Sequence, residues 1–193
     1  MVEKAVLKLV NRMERENIIE KADREYYEYA LLTMTEQMIA AASMLMVSMI
    51  FRQSGPTVIF LIFFLSLRKR TGGYHADKFW QCYLLTVITY IGVIQAAFVL
   101  VEKPFMMYGI LVWAVLVMEM IGTVNHPNMD MDQHELQETK KAARLLALIE
   151  TGVIAVSAVL EINRLYVCFM SIAMILCSAL MCLAKILKQE VKV

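Results

Sequence analysis

The sequence predicts an all-α fold: a polytopic membrane helical bundle of about six transmembrane helices preceded by an amphipathic helix. Three observations carry that prediction. Hydrophobic residues make up 60 % of the 193 positions, whereas soluble domains hold about 45–50 %. Charged residues gather at the N-terminus, around 68–78, around 130–144 and at the C-terminus, with apolar runs of membrane length between them. The number of Lys and Arg residues alternates from one gap to the next, as it does when successive loops face opposite sides of a bilayer. A net charge of +1 gives no electrostatic reason to expect a nucleic-acid partner. Membrane lipids are the expected surroundings, and a separate soluble domain would not fit in the remaining length.

Residues 1–29 are the first unit. They carry Lys4, Lys8, Arg12, Arg15, Lys21 and Arg24, with no apolar core ahead of a small-residue cleavage site, so a signal peptide is not expected. Val2, Val6, Leu9, Val10 and Met13 recur at helical spacing and predict an amphipathic helix. Its apolar face suits either the cytosolic membrane surface or the cytosolic end of the bundle.

Residues 30–193 form the transmembrane unit. Six apolar segments fall at about 31–51, 54–67, 83–101, 105–124, 143–160 and 164–184, most near the roughly 20 residues that cross a bilayer. The second is short and must tilt, thin the bilayer or continue toward Arg68; a re-entrant element is the alternative. Counting Lys and Arg from the N-terminal segment through each gap to the tail gives six, one, four, one, three, one and three. This places both termini, and the loop 68–82, in the cytosol of a multi-pass protein of the cell membrane.

That loop holds the chemistry. Arg68-Lys69-Arg70 is followed by Thr71, the pair Gly72-Gly73, then His75, and Cys82 lies seven positions beyond the histidine. Cysteine and histidine are the partners of thiol-based acyl transfer. On one regular helix they would share a face but stand about 10 Å apart along the axis, whereas nucleophile and base must approach to about 3 Å. The Gly pair permits a break, Asp77 suits the N-cap of a helix starting at Lys78, and His75 then folds back over the first turns. Cys82 would sit near the positive end of that helix, with nearby cations favouring the thiolate. The bland alternative is a buried, inert cysteine and an interfacial histidine.

The block Arg-Lys-Arg-Thr-Gly-Gly-Tyr-His-Ala, followed by Phe-Trp-Gln-Cys with seven residues from His to Cys, resembles the accessory gene regulator B (AgrB) family. The likeness extends to the charged start, the several spans, and the loop His126-Pro127-Asn128 leading to Lys140-Lys141, where the Asn follows Pro directly and the fit is loose. The resemblance implies a bacterial membrane cysteine endopeptidase of quorum sensing. Such an enzyme acts on a short AgrD-like precursor peptide. It removes the C-terminal tail through a peptidyl thioester and promotes closure to a thiolactone or lactone. Cys82 would be the nucleophile and His75 the general base and acid. A homodimer is also implied.

Supporting roles fall to neighbouring residues. Asp77 would orient His75 or cap the helix, Gln81 would donate to an oxyanion or be solvated, and Arg70 would hold an acidic substrate tail or only set topology. Gly72 and Gly73 shape the turn.

No cofactor is expected. His126, Asp130, Asp132, His134 and Glu135 contain metal-ligand residue types, but no zinc spacing or calcium-loop glycine, so no metal is assigned. Cys168, Cys177 and Cys182 lie in the last span and read as packing residues. Glu36, Glu119 and Glu150 are costly within spans and either pair or line a substrate groove. The rival function class, a small transporter or peptide exporter, would use those acids as its pathway. No half-to-half repeat supports it.

Overall fold

The computed structural model describes residues 2–72, 79–125 and 131–188. These form seven α-helices and a short 3₁₀ turn (Lys21–Asp23), with no strand among the described residues. The helices are α1 (Val2–Arg15), α2 (Arg24–Ile50), α3 (Ser54–Thr71), α4 (Phe79–Leu100), α5 (Pro104–Ile121), α6 (Gln133–Val159) and α7 (Arg164–Ile186). Each expected span coincides with one helix from α2 to α7. Five of them, α2, α4, α5, α6 and α7, are long and apolar enough to cross a membrane. In α3 the last turn carries Arg68, Lys69 and Arg70, which lowers its apolar length. Its 18 residues nevertheless extend about 27 Å.

Local sequence explains the helix ends. At the end of α2 the Gln53 amide donates to the Ser48 carbonyl at 2.8 Å and the Arg52 amide to Met49 at 3.1 Å. Arg52 adopts a left-handed φ of 55°. This is a Schellman stop. The same pair of bonds recurs after α6, where Ile162 donates to Ser157 at 3.0 Å and Glu161 to Ala158 at 3.2 Å, and after α1 through Ile18 and Asn17. Such stops let α2 turn into α3, and α6 into α7, within a few residues. Proline opens α5, where a missing amide hydrogen costs nothing.

The core is organised around α7, which packs against α3, α4, α5 and α6. Val167 through Met174 are all buried on it, as are Cys177, Met181 and Ala184. Small residues at Ser171, Ala173, Ser178 and Ala184 let neighbouring backbones approach closely. The other helices keep one exposed apolar face; on α2 it includes Met38, Met46 and Met49. In a bilayer those faces meet lipid.

The N-terminal helix buries part of its apolar stripe against protein. Val6 and Val10 form a small separate core with Ile19, against Met13, Leu31 and Leu32. Arg24 fixes the angle by donating to Asn11 Oδ1 at 2.8 Å and to Glu14 Oε2 at 3.4 Å. Leu9, from the same apolar stripe, remains exposed.

Candidate functional site

The expected break between the basic triplet and Cys82 is present. Helix α3 ends at Thr71, and α4 begins at Phe79. Gly72 has φ 64° and ψ −145°, a conformation open only to glycine. The last two carbonyls of α3 and that of Gly72 find donors. Thr123 Oγ1 donates to the Arg70 carbonyl at 3.0 Å, the Val124 amide to Thr71 at 2.9 Å, and Arg68 Nη1 to the Gly72 carbonyl. The end of α3 is therefore bolted to the segment after α5, and the loop leaves from a fixed point. Gly73, His75 and Asp77 lie outside the described residues.

The bolt itself comes from residues 122–125. Gly122 ends α5 with φ 72°, and Thr123, Val124 and Asn125 are fully buried. The Asn125 amide clamps Met131: Nδ2 donates to the Met131 carbonyl at 3.2 Å, and Oδ1 accepts from its amide at 3.3 Å. Just beyond, Asp132 and Glu135 exchange bonds in a capping box that opens α6. Two residues weighed as metal candidates are thus helix-cap residues. His134 sits 3.8 Å from Glu138 on the exposed side of α6, and His126 and Asp130 lie outside the described residues.

Cys82 is the fourth residue of α4, within reach of the positive end of the helix. It is partly buried and lines a cavity of about 140 Å³ between α2, α3, α4 and α7. Along α4 the lining runs from Cys82 to Tyr90, eight positions or about 12 Å. Phe60, Phe64, Leu65 and Met44 supply apolar wall, while Glu36, Gln37 and Arg68 supply polar wall. Arg68 carries its charge within electrostatic range of Cys82. The cavity is rigidly framed. Phe60 stacks on Phe64 with ring centroids 5.5 Å apart. Tyr90 and Thr57 share a hydrogen bond of 2.5 Å, and Tyr83 and Ser43 one of 3.0 Å.

The remaining expectations divide. Arg70 and Gln81 are exposed and do not line the cavity; Arg68, to which sequence analysis gave no separate role, does. Cys168 and Cys177 are 0 % and 1 % exposed, and each thiol donates to a backbone carbonyl at 3.7 Å, of Ala97 and Phe64 respectively, as packing residues should. Cys182 is half-buried. Of the acids, Glu36 joins the cavity wall. Glu150 Oε1 accepts from Ser66 at 2.6 Å, while Glu150 Oε2 and Glu119 Oε1 are buried without a hydrogen-bond partner among the described residues. The sequence signal for Arg68 was its place in the basic triplet, which says nothing of direction. For Thr123 to Asn125 there was only a polar tail on an apolar run.

No curated protein and no solved structure matches the chain. The sequence profile described as Accessory gene regulator B matches residues 6–184, nearly the whole length. The chain therefore belongs to the accessory gene regulator B family of membrane proteins, which takes part in quorum-sensing peptide processing.

Proposed function

We propose that the chain is a membrane cysteine endopeptidase that removes the C-terminal tail of an AgrD-like precursor and prepares the remaining peptide for cyclisation. The observation that carries this reading is the setting of Cys82. It stands in the wall of an interhelical cavity whose lining also holds Arg68, at the fourth residue of α4, and His75 precedes it by seven positions in the sequence.

Cys82 Sγ attacks the carbonyl carbon of the scissile bond, and the thiol proton passes through His75 to the leaving amine. The C–N bond breaks, the tail departs, and an S–acyl bond remains on Cys82. A thiol or hydroxyl of the precursor then attacks that thioester, closing the ring and returning Cys82 to the thiol. A thioester keeps its acyl reactivity, so the ring-closing attack prevails where water is scarce. The apolar wall of the cavity supplies that condition. Placing the site on the cytosolic face follows from the Lys and Arg alternation.

The test is co-expression with an AgrD-like precursor and mass spectrometry of the products. Cys82→Ala should abolish tail removal. Cys82→Ser should lose nearly all of it, because a hydroxyl is a far poorer nucleophile at neutral pH. His75→Ala should cost about 10²- to 10⁴-fold. Tail removal that persists in Cys82→Ala, or that depends on Cys177 instead, refutes the assignment.

A further inference from the structure

We propose that the cavity beside Cys82 is the subsite for one apolar side chain, that of the precursor residue whose carbonyl carbon Cys82 attacks. The inference rests on the peptidase reading and adds a substrate preference to it.

Size comes first. The cavity measures about 140 Å³. A cavity of about 150 Å³ lined by aliphatic and aromatic residues admits benzene; this one has a comparable volume and a largely apolar wall, with Glu36, Gln37 and Arg68 on its polar side. The space therefore suits one phenyl ring or one branched aliphatic chain. It would hold an alanine side chain loosely and would not hold two large side chains.

The arrangement of polar groups sets the orientation. Cys82 and Arg68 belong to the same lining as Phe60 and Phe64. An occupant that turns its carbonyl toward Cys82 and Arg68 sets a developing negative charge near a fixed cation. Its side chain then has the aromatic wall as its surroundings. An acidic side chain directed onto the aromatic wall would lose its hydration there, and the lining that holds Arg68 also holds the acid Glu36. Rigidity also favours selection. Phe60 lies against Phe64, Tyr90 and Phe169, at centroid distances of 5.5, 5.9 and 6.4 Å. A pre-formed wall loses little entropy on filling, so differences in side-chain size appear in the rate.

Two variants change the volume without touching Cys82 or His75. Ala40→Leu, from α2, fills the cavity, and Phe64→Ala, from α3, enlarges it. The probe is an AgrD-like precursor carrying Phe, Leu, Ala or Asp at the attacked residue, turned over in proteoliposomes. The Phe and Leu forms should exceed the Ala form in kcat/KM by about tenfold or more, with Asp lowest. Ala40→Leu should bring the Phe-to-Ala ratio to within about twofold. Phe64→Ala should lower the Leu form relative to the Phe form. Each ratio is taken within one protein sample, so partial misfolding of a variant does not alter it.

A second readout needs no precursor. Alkylation at Cys82 is followed by mass spectrometry with chloroacetamide and with N-benzyl chloroacetamide. The benzyl reagent should be faster by about tenfold in the wild type, and Ala40→Leu should erase that advantage. Cleavage by Cys82 with the same side-chain ratios in all three proteins would overturn the subsite while leaving the peptidase standing. Equal alkylation rates for the two reagents, as a resident lipid chain would give, would also overturn it. A benzyl advantage without any precursor cleavage would remove the peptidase reading, and the proposed occupant with it.

Discussion

Replacing Asn125 with alanine removes both hydrogen bonds that hold Met131, the one at 3.2 Å to its carbonyl and the one at 3.3 Å from its amide. Asn125 is 0 % exposed and Met131 9 % exposed, so water does not readily replace the lost partner. Both bonds are at the long end of the normal range, and each contributes about 0.5–1 kcal/mol net. The stranded amide and carbonyl of Met131 add a desolvation penalty, bringing the expected loss to about 2–4 kcal/mol. By the relation of about 1.4 kcal/mol per tenfold, that is a rise of about 30- to 700-fold in the local opening constant. The effect should be local, because the clamp closes one loop and leaves the α7 core untouched. The assay is amide hydrogen exchange in detergent or nanodiscs. In Asn125→Ala the amides of Val124 and Met131 should exchange faster by that factor, and those of Ile172 and Met174 should not. The Val124 amide reports the bond to Thr71, so its acceleration would show that the clamp secures the end of α3. Asn125→Asp should fall between, since it keeps an acceptor for the Met131 amide but loses the donor for its carbonyl. Unchanged exchange at Val124 and Met131 in Asn125→Ala would refute this account of the loop.

Four further outcomes can be measured. Gly122→Ala would place a Cβ 3.0 Å from Lys140 Cγ at a φ of +72°, and should cost about 1–3 kcal/mol in thermal or denaturant unfolding. Gly92→Ala meets nothing within 4 Å inside α4, and should be neutral or stabilising by up to about 1 kcal/mol. Ser66→Ala strips Glu150 of its 2.6 Å donor and should destabilise by about 1–3 kcal/mol; Ser66→Ala with Glu150→Leu should recover most of that loss, and a failure to recover would show that Glu150 has another partner. For topology, single-cysteine probes near Arg52, Lys103 and Arg164 should react with an impermeant thiol reagent on intact cells, and probes near Lys69, Lys140 and Lys188 should be spared; labelling at Lys69 would refute the cytosolic placement.

Much of this protein was written locally. Apolar runs set six helices because segment length and hydropathy are properties of consecutive residues. The break after Thr71 was legible because Gly72 and Gly73 are the residues that tolerate such a backbone, and Gly72 adopts it. Packing roles for Cys168 and Cys177 were legible because an isolated thiol within an apolar run has no other partner. Direction was not legible. Arg68 and Arg70 are two positions apart on one helix, about 200° around its axis, and nothing in the basic triplet says which of them faces a cavity. The packing of α3 on α7 and α6 turned Arg68 to the cavity and left Arg70 exposed. Thr123 and Val124 reach back to Arg70 and Thr71 across more than fifty positions, and Glu36 joins the same cavity lining as Cys82 from α2. Such partners meet only once helices have chosen which faces to bury, and that choice depends on every neighbour at once. The sequence by itself determined the helices, the break after Thr71 and the position of Cys82 just beyond it; tertiary packing alone decided which cation, which acid and which apolar wall surround that thiol.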